Sequence, residues 1–482
     1  MPTRPLPPVF AYRPAATGRP GARPVAVSAP GPRMRQAVQR VVRGVLLAGG
    51  LLAATLAPAA TPAERAAAAE RLPTEPVIAQ QCDRLYGSAW RPVTGPISTP
   101  AKPDPRPPKG LPVVDEVNRT CVVRVTDHDA ELRSGFARNE YSRRQSFNAD
   151  DTRLIVVSQD GYWHQYATAD LRYMGKLSGL SGDAEPQWHP TDPNLLRYLP
   201  NNGVGMRIEE LDVRSGQSRT LADLGSRVRK LWPSAQAMWT RSEGSPSRDH
   251  RRWAFQIDDA KWGGLGLITY DLKEDRILAS YDFATHRKER PDHVSMSPSG
   301  EYVVVSWLDA VTAFRADLTQ PRVLQRKSEH SDVAIGADGD DAYVAVDYEA
   351  SGGPLFAINL RTGQRTDLLK TYVSGTATAL HLSGKAFDRP GWVLVSTYAD
   401  YGKAGPQWLH RKVFAMSLER EPRIVNIAHH RSTHNEYFTE PQASTNRNLT
   451  RVLFSSNWGT SSKTDIDTFL VLVPDRAYAP TR

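Results

Sequence analysis

One unit repeats seven times along this chain, and that periodicity restricts the fold more than any other feature of the sequence. Each copy is a short strand, a tight turn and a longer apolar strand. The copies read EYSRRQSFNADDTRLIVVS from Glu140, AEPQWHPTDPNLLRYLP from Ala184, RSEGSPSRDHRRWAFQI from Arg241 and DHVSMSPSGEYVVVSW from Asp292. They continue as HSDVAIGADGDDAYVAVD from His330, LHLSGKAFDRPGWVLVSTY from Leu380 and EPQASTNRNLTRVLFSSNW from Glu440. The turns fall near Asp150, Asp192, Asp249, Ser299, Asp338, Pro390 and Arg447, 39 to 57 residues apart, which brackets the length of a propeller blade. Several copies lead into a second hairpin such as LITYDLKEDRILAS or FAINLRTGQRTDLL, giving four strands per copy. With 37 Pro and 34 Gly and no sustained 3.6-residue apolar period, a helical bundle is excluded. A sandwich would lack the fixed long-range turn repeat, and a β-helix would have shorter rungs. The expected fold is all-β: a seven-bladed β-propeller over residues 111–482.

The ends of the repeat array supply the closure. The last copy stops at TFLVLVP without an outermost strand, whereas VVDEVNRTCVVRVTDHD near the N-terminus has a strand without inner partners. Thr120–Thr126 is therefore expected to complete the seventh blade and close the ring. Residues 62–110 form a Pro-rich strap, extended over Gly95–Leu111. Upstream, MRQAVQRVVRGVLLAGGLLAATLAPAATPAE from Met34 has the basic, apolar and small-residue regions of a secretory signal peptide, assigned to residues 34–61. Residues 1–33 lie before that second Met and are expected to be an upstream extension. The apolar run is too short for a permanent membrane span, so the processed protein is expected in the periplasm or outside the cell. Cys82 and Cys121 are the two cysteines of the chain, and in an oxidising compartment they are expected to form a disulfide.

Charge adds little about partners. The net +9 comes mostly from residues 1–61, which hold eight Arg, no Lys and no acid; the remainder carries +1. No aromatic-interleaved basic stripe suggests nucleic acid, and there is no GxSxG, HExxH or P-loop motif. A monomer is expected.

Function is expected where the first strands of the blades line the channel mouth. Just ahead of those strands stand Arg143 and Arg144, Glu185, Glu243, His293, His330, His381, and Glu440 with Gln442; nearby loops add Tyr141, His434 and Glu436. Four successive blades thus bring a His to one end of the channel. Imidazoles there could bind a divalent metal such as manganese, calcium or zinc beside Glu440 or Gln442, could act as general bases, or could simply bond a neighbouring blade. An Arg at the mouth could grip a carboxylate in a bidentate fork or pair with Glu185. Trp163, Trp188, Trp232, Trp239 and Trp458 are candidates for stacking on sugar rings, and Trp253, Trp307 and Trp392 for packing between blades.

The SPSGEYVVV run within Val294–Val305 resembles bacterial exported propellers of the TolB-like, WD-repeat-like kind. The blade-start histidines and the closing EPQASTNRNLTRVLFSSNW are similar to oligogalacturonate lyases, with an architectural likeness over about residues 111–475. That resemblance implies a channel face that binds a uronate glycan and cleaves it by β-elimination with a divalent metal. It implies His293 as base and Arg144 neutralising the substrate carboxylate, with His330, His381 and His434 as metal ligands. Tyr141, Arg143, Glu185, Glu243, Glu440 and Gln442 would bind substrate. The lyases carry a His pair before the last first strand, where this chain has Thr439-Glu440-Pro441-Gln442. The alternative is a noncatalytic periplasmic propeller whose funnel holds a protein segment or an oligosaccharide.

Overall fold

A computed structural model describes residues 76–402, 405–434 and 436–480. Among these residues the strands form seven sheets arranged as the blades of a propeller. Blade one spans Ala137–Ser181, blade two Gln187–Asp223, blade three Ala235–Asp282 and blade four His293–Gln325. Blade five spans Ser331–Lys370 and blade six Tyr372–His429. Blade seven combines Ser444–Thr445, Arg451–Ser456 and Asp467–Leu472 with two strands from the other end of the chain.

The ring closes as the repeat count requires. Thr120–Arg124 pairs antiparallel with Asp467–Leu472, placing Val122 opposite Val471. A fifth strand, Val113–Asp115, adds outside it. It forms because Asp115 Oδ1 accepts from the N–H groups of Val117 (3.1 Å) and Asn118 (2.9 Å), an Asx turn that folds the chain back into a hairpin. Blade three departs from the expected register. Its paired first strand is Ala235–Trp239, ahead of Glu243, because Arg241 and Ser242 adopt left-handed φ of 61° and 69° and bend the chain.

The burial pattern follows from blade stacking. Second strands such as Tyr302–Trp307 (YVVVSW) are buried at every residue because a neighbouring blade covers each face. Outer strands such as Arg276–Asp282 have no fully buried residue. Between blades four and five, Tyr302, Val304 and Ala313 pack on Val333, Tyr343 and Phe356. Trp163, Trp188 and Trp232 lie in such inter-blade cores, which takes them off the list of sugar-stacking candidates.

Ahead of the ring, the strap begins with a helix, Val77–Tyr86. Its Ile78, Cys82 and Tyr86 fall on one face at four-residue spacing and are buried. Cys82 is joined to Cys121 by a disulfide with Cα atoms 5.5 Å apart. Tyr86 Oη accepts from the N–H of Cys121 at 2.8 Å and donates to the Leu472 carbonyl, tying the helix to both closing strands. The strap then bridges Thr94 to Val425 of blade six and forks Arg106 onto Asp465 (2.6 Å) and Asp467 (3.2 Å). The segment assigned to the signal peptide lies outside the described residues. Among those described, no helix is long and apolar enough to cross a membrane.

Candidate functional site

The site residues, some ahead of their first strands and others within or just beyond them, converge at one mouth of the channel. They sort into three bonded groups.

The first centres on His293, which opens blade four. Its Nδ1 lies 3.2 Å from Asp292 Oδ2, and its Nε2 lies 2.5 Å from Arg143 Nη1 and 3.2 Å from Ser306 Oγ. An Nδ1–H donated to Asp292 leaves Nε2 with the lone pair, so the carboxylate sets the tautomer. Burial alone would raise Asp292, but the hydrogen bond from His293 and the charges of His293 and Arg143 hold it below the usual carboxylate range. Arg143 also pairs with Glu243 at 2.9 Å. Burial opposes its charge, and Glu243 together with Tyr141, Asp332 and Asp292 more than offsets that. The ligand-capable atoms of Glu243, Asp292 and His293 lie within 4.8 Å of one another, a possible metal site. Arg143, however, already places a cation against two of the three.

The second group holds the other histidines. His381 Nε2 lies 2.7 Å from Glu440 Oε2 and 2.9 Å from Gln442 Nε2, and those two are 3.0 Å apart. Gln442 Nε2 donates to Glu440 Oε2. Its Oε1 is buried without a partner among the described residues. Tyr398 Oη is hydrogen-bonded to His330 Nε2 at 3.0 Å; the His330 and His381 rings are 4.5 Å apart, and His434 at the rim is 5.3 Å from Tyr398. Tyr141 meets His381 edge-on at 5.5 Å. Burial raises the Glu440 carboxyl to about 7 against the pull of His330, His434 and Arg138. Burial, with His381 beside it, lowers His330 to about 3.

The third group is structural in character. Arg144 donates to Glu140 Oε2 at 2.5 Å and to the Ser242 carbonyl at 2.6 Å. Glu185 accepts from the Thr240 hydroxyl (2.8 Å) and the N–H groups of Thr240 (3.1 Å) and Ser242 (2.5 Å), pinning the bend of blade three. Of the two adjacent arginines, Arg143 rather than Arg144 therefore touches His293. Glu243 and Glu440 belong to separate groups. Below them the buried ion pair Lys385–Asp332 (3.0 Å) ties blade six to blade five.

Sequence reasoning missed Asp292, Tyr398 and Asp332. Only Asp292 was signalled, by its place beside His293 in the quoted repeat.

No family model and no curated protein matches this chain. Solved structures do. An oligogalacturonate lyase from Vibrio parahaemolyticus superposes with a TM-score of 0.54 at 13% identity, covering 76% of this chain and 96% of that one. An oligogalacturonate lyase in complex with manganese gives 0.53 at 13% identity, covering 81% and 100%. The chain is thus a seven-bladed β-propeller with the fold of oligogalacturonate lyases.

Proposed function

We propose that the His293 mouth binds a uronate-containing oligosaccharide and cleaves it by β-elimination. The observation that carries this is the chain Asp292–His293–Arg143. It holds an imidazole with its basic nitrogen against a guanidinium, the pairing that proton removal next to a carboxylate needs. In the free protein Arg143 occupies the Nε2 lone pair. When Arg143 turns to fork the substrate carboxylate, that lone pair is released beside the proton to be taken. His293 Nε2 removes the C5 proton, the electron pair forms the C4–C5 double bond, and the C4–O bond breaks with proton uptake by the departing oxygen. Asp292 steadies the resulting imidazolium, while Arg144 and Glu185 position the loop that carries Glu243.

The second group fits a divalent cation. His381 Nε2 and Glu440 Oε2 stand 2.7 Å apart, the separation of ligands sharing one ion, and the buried, unpartnered Gln442 Oε1 adds an oxygen ligand. His381, Glu440 and Gln442, with His330 alongside and His434 at the rim, would hold it. Such an ion would supply positive charge for the carboxylate and the enolate-like charge that develops on it. That charge is useful, because Glu243 and Asp292 otherwise repel a uronate. The disulfide suits an oxidising compartment, so the reading places the protein in the periplasm or outside the cell.

A noncatalytic binding propeller is favoured by one observation: Arg143 and Lys385 are already paired with Glu243 and Asp332. The test is a panel of oligouronates, followed by ultraviolet absorbance of the unsaturated product, with chelator and with manganese restored. Product that chelator abolishes and manganese restores supports the lyase. Binding without product supports the noncatalytic reading, and no binding overturns both.

A further inference from the structure

The opposite mouth of the channel has a different chemistry. There the turns between first and second strands gather, and blades one, two, three, six and seven enclose a cavity. Arg248, Lys385 and Arg447 line it, and none of its lining residues is Asp or Glu.

Two buried polar atoms of its lining have no partner among the described residues. His250 is 8% exposed and its Nδ1 is unpaired. Gln145 uses its Oε1 to accept from the N–H of Phe147 but leaves its Nε2 unpaired. Buried polar groups left unpaired cost free energy, so two in one cavity point to something that pairs them. The cations around them are held back from one another by Phe387, whose ring lies 5.9 Å from Lys385 Nζ and 5.6 Å from the Arg447 guanidinium. Arg447 pairs with Asp388 at 3.4 Å and at the surface, an interaction of little strength. Burial, reinforced by Arg197, His189 and Arg447, keeps His250 uncharged, so it offers a neutral ring nitrogen.

We infer that this lower mouth is a second binding site, for a compact oxyanion group, either carboxylate or phosphate. Arg248 and Arg447 would supply charge, and Gln145 and His250 would supply hydrogen bonds at the base of the cavity. The inference does not depend on the lyase reading, because it uses none of the residues at the His293 mouth.

Calorimetric titration of the full protein with inorganic phosphate and, separately, with galacturonate, at constant ionic strength, tests it. Saturable binding of one or both is expected, and the stronger probe identifies the group. The double variant Arg248→Gln, Arg447→Gln should weaken that binding at least tenfold, whereas His293→Ala should leave phosphate binding unchanged. Should the double variant fail to fold, Gln145→Leu removes one donor without changing charge and should weaken binding severalfold. The inference is overturned if the parent binds neither probe, or if the variants bind as the parent does.

Discussion

Lys412 permits a quantitative test of how this ring tolerates buried charge. It begins the fourth of the five strands of blade six and is 1% exposed, and its Nζ has no hydrogen-bond partner among the described residues. The nearest carboxylate, Asp115, is engaged elsewhere, accepting from Val117, Asn118 and the N–H of His429 at 3.0 Å. Burial pushes the amine down from 10.5 to about 8, with Asp115 opposing. The folded state therefore binds the proton less tightly than the unfolded state. Below pH 8 both states are charged and the folded protein bears the full cost of the buried cation. Between about 8 and 10.5 the folded protein has released the proton and the unfolded chain has not, so stability rises with pH. At about 1.4 kcal/mol per unit, the rise attributable to Lys412 is at most about 3 kcal/mol. Lys412→Met retains an unbranched stem and removes the charge. Its stability advantage over the parent should be greatest at pH 7 and should shrink by up to about 3 kcal/mol by pH 10.5, less what Asp115 loses. Urea unfolding of both proteins across that range, followed by tryptophan fluorescence, measures the difference. Parallel stability curves would refute the argument, since they would mean that Lys412 is paired or solvated in the folded state.

Three further outcomes are expected. His293→Ala should lose about 10²- to 10⁴-fold in turnover while retaining oligouronate binding, whereas Arg143→Ala should weaken both; kcat and binding titrations separate the two. Reduction of Cys82–Cys121, or Cys82→Ala, should cost at most about 4 kcal/mol by loop entropy, read as a lower unfolding midpoint, and the oxidised protein should show no free thiol by mass spectrometry. Removing every residue before His128 should strip two strands from blade seven and expose the edge of Asp467–Leu472; size-exclusion chromatography should then show association, and a monodisperse, equally stable product would contradict the closure.

The architecture was legible because blade stacking imposes it residue by residue. YVVVSW can be apolar throughout only if both faces are covered, and the orphan strand at Cys121 had one vacancy to fill. The site was legible to the level of a mouth, not of partners. Arg143 and Arg144 are neighbours in an irregular segment beyond the paired strand Ala137–Arg138, so no alternation rule assigns one of them to the channel. Their roles depend on Glu243 and Glu140, and Glu243 reaches Arg143 only through the bend at Arg241 and Ser242 that no local pattern announces. The tryptophans misled for a related reason: an indole at a strand end can face either solvent or the next blade. Asp292 could have been given its role, since an acid beside a channel-facing His fixes the imidazole tautomer.

The composite origin of blade seven sets an order on biosynthesis. Thr120–Arg124 precedes blades one to six in the sequence, and its partner Asp467–Leu472 follows all six. Until that partner is in place the early strand has one vacant edge. Cys82 and Cys121 both precede those blades, so oxidation can fasten the Val77–Tyr86 helix to the waiting strand long before the ring is whole. Locking of the N-terminus and completion of the circle are thus separable events, and an unfinished chain is distinguished by an open strand edge that quality-control factors can recognise.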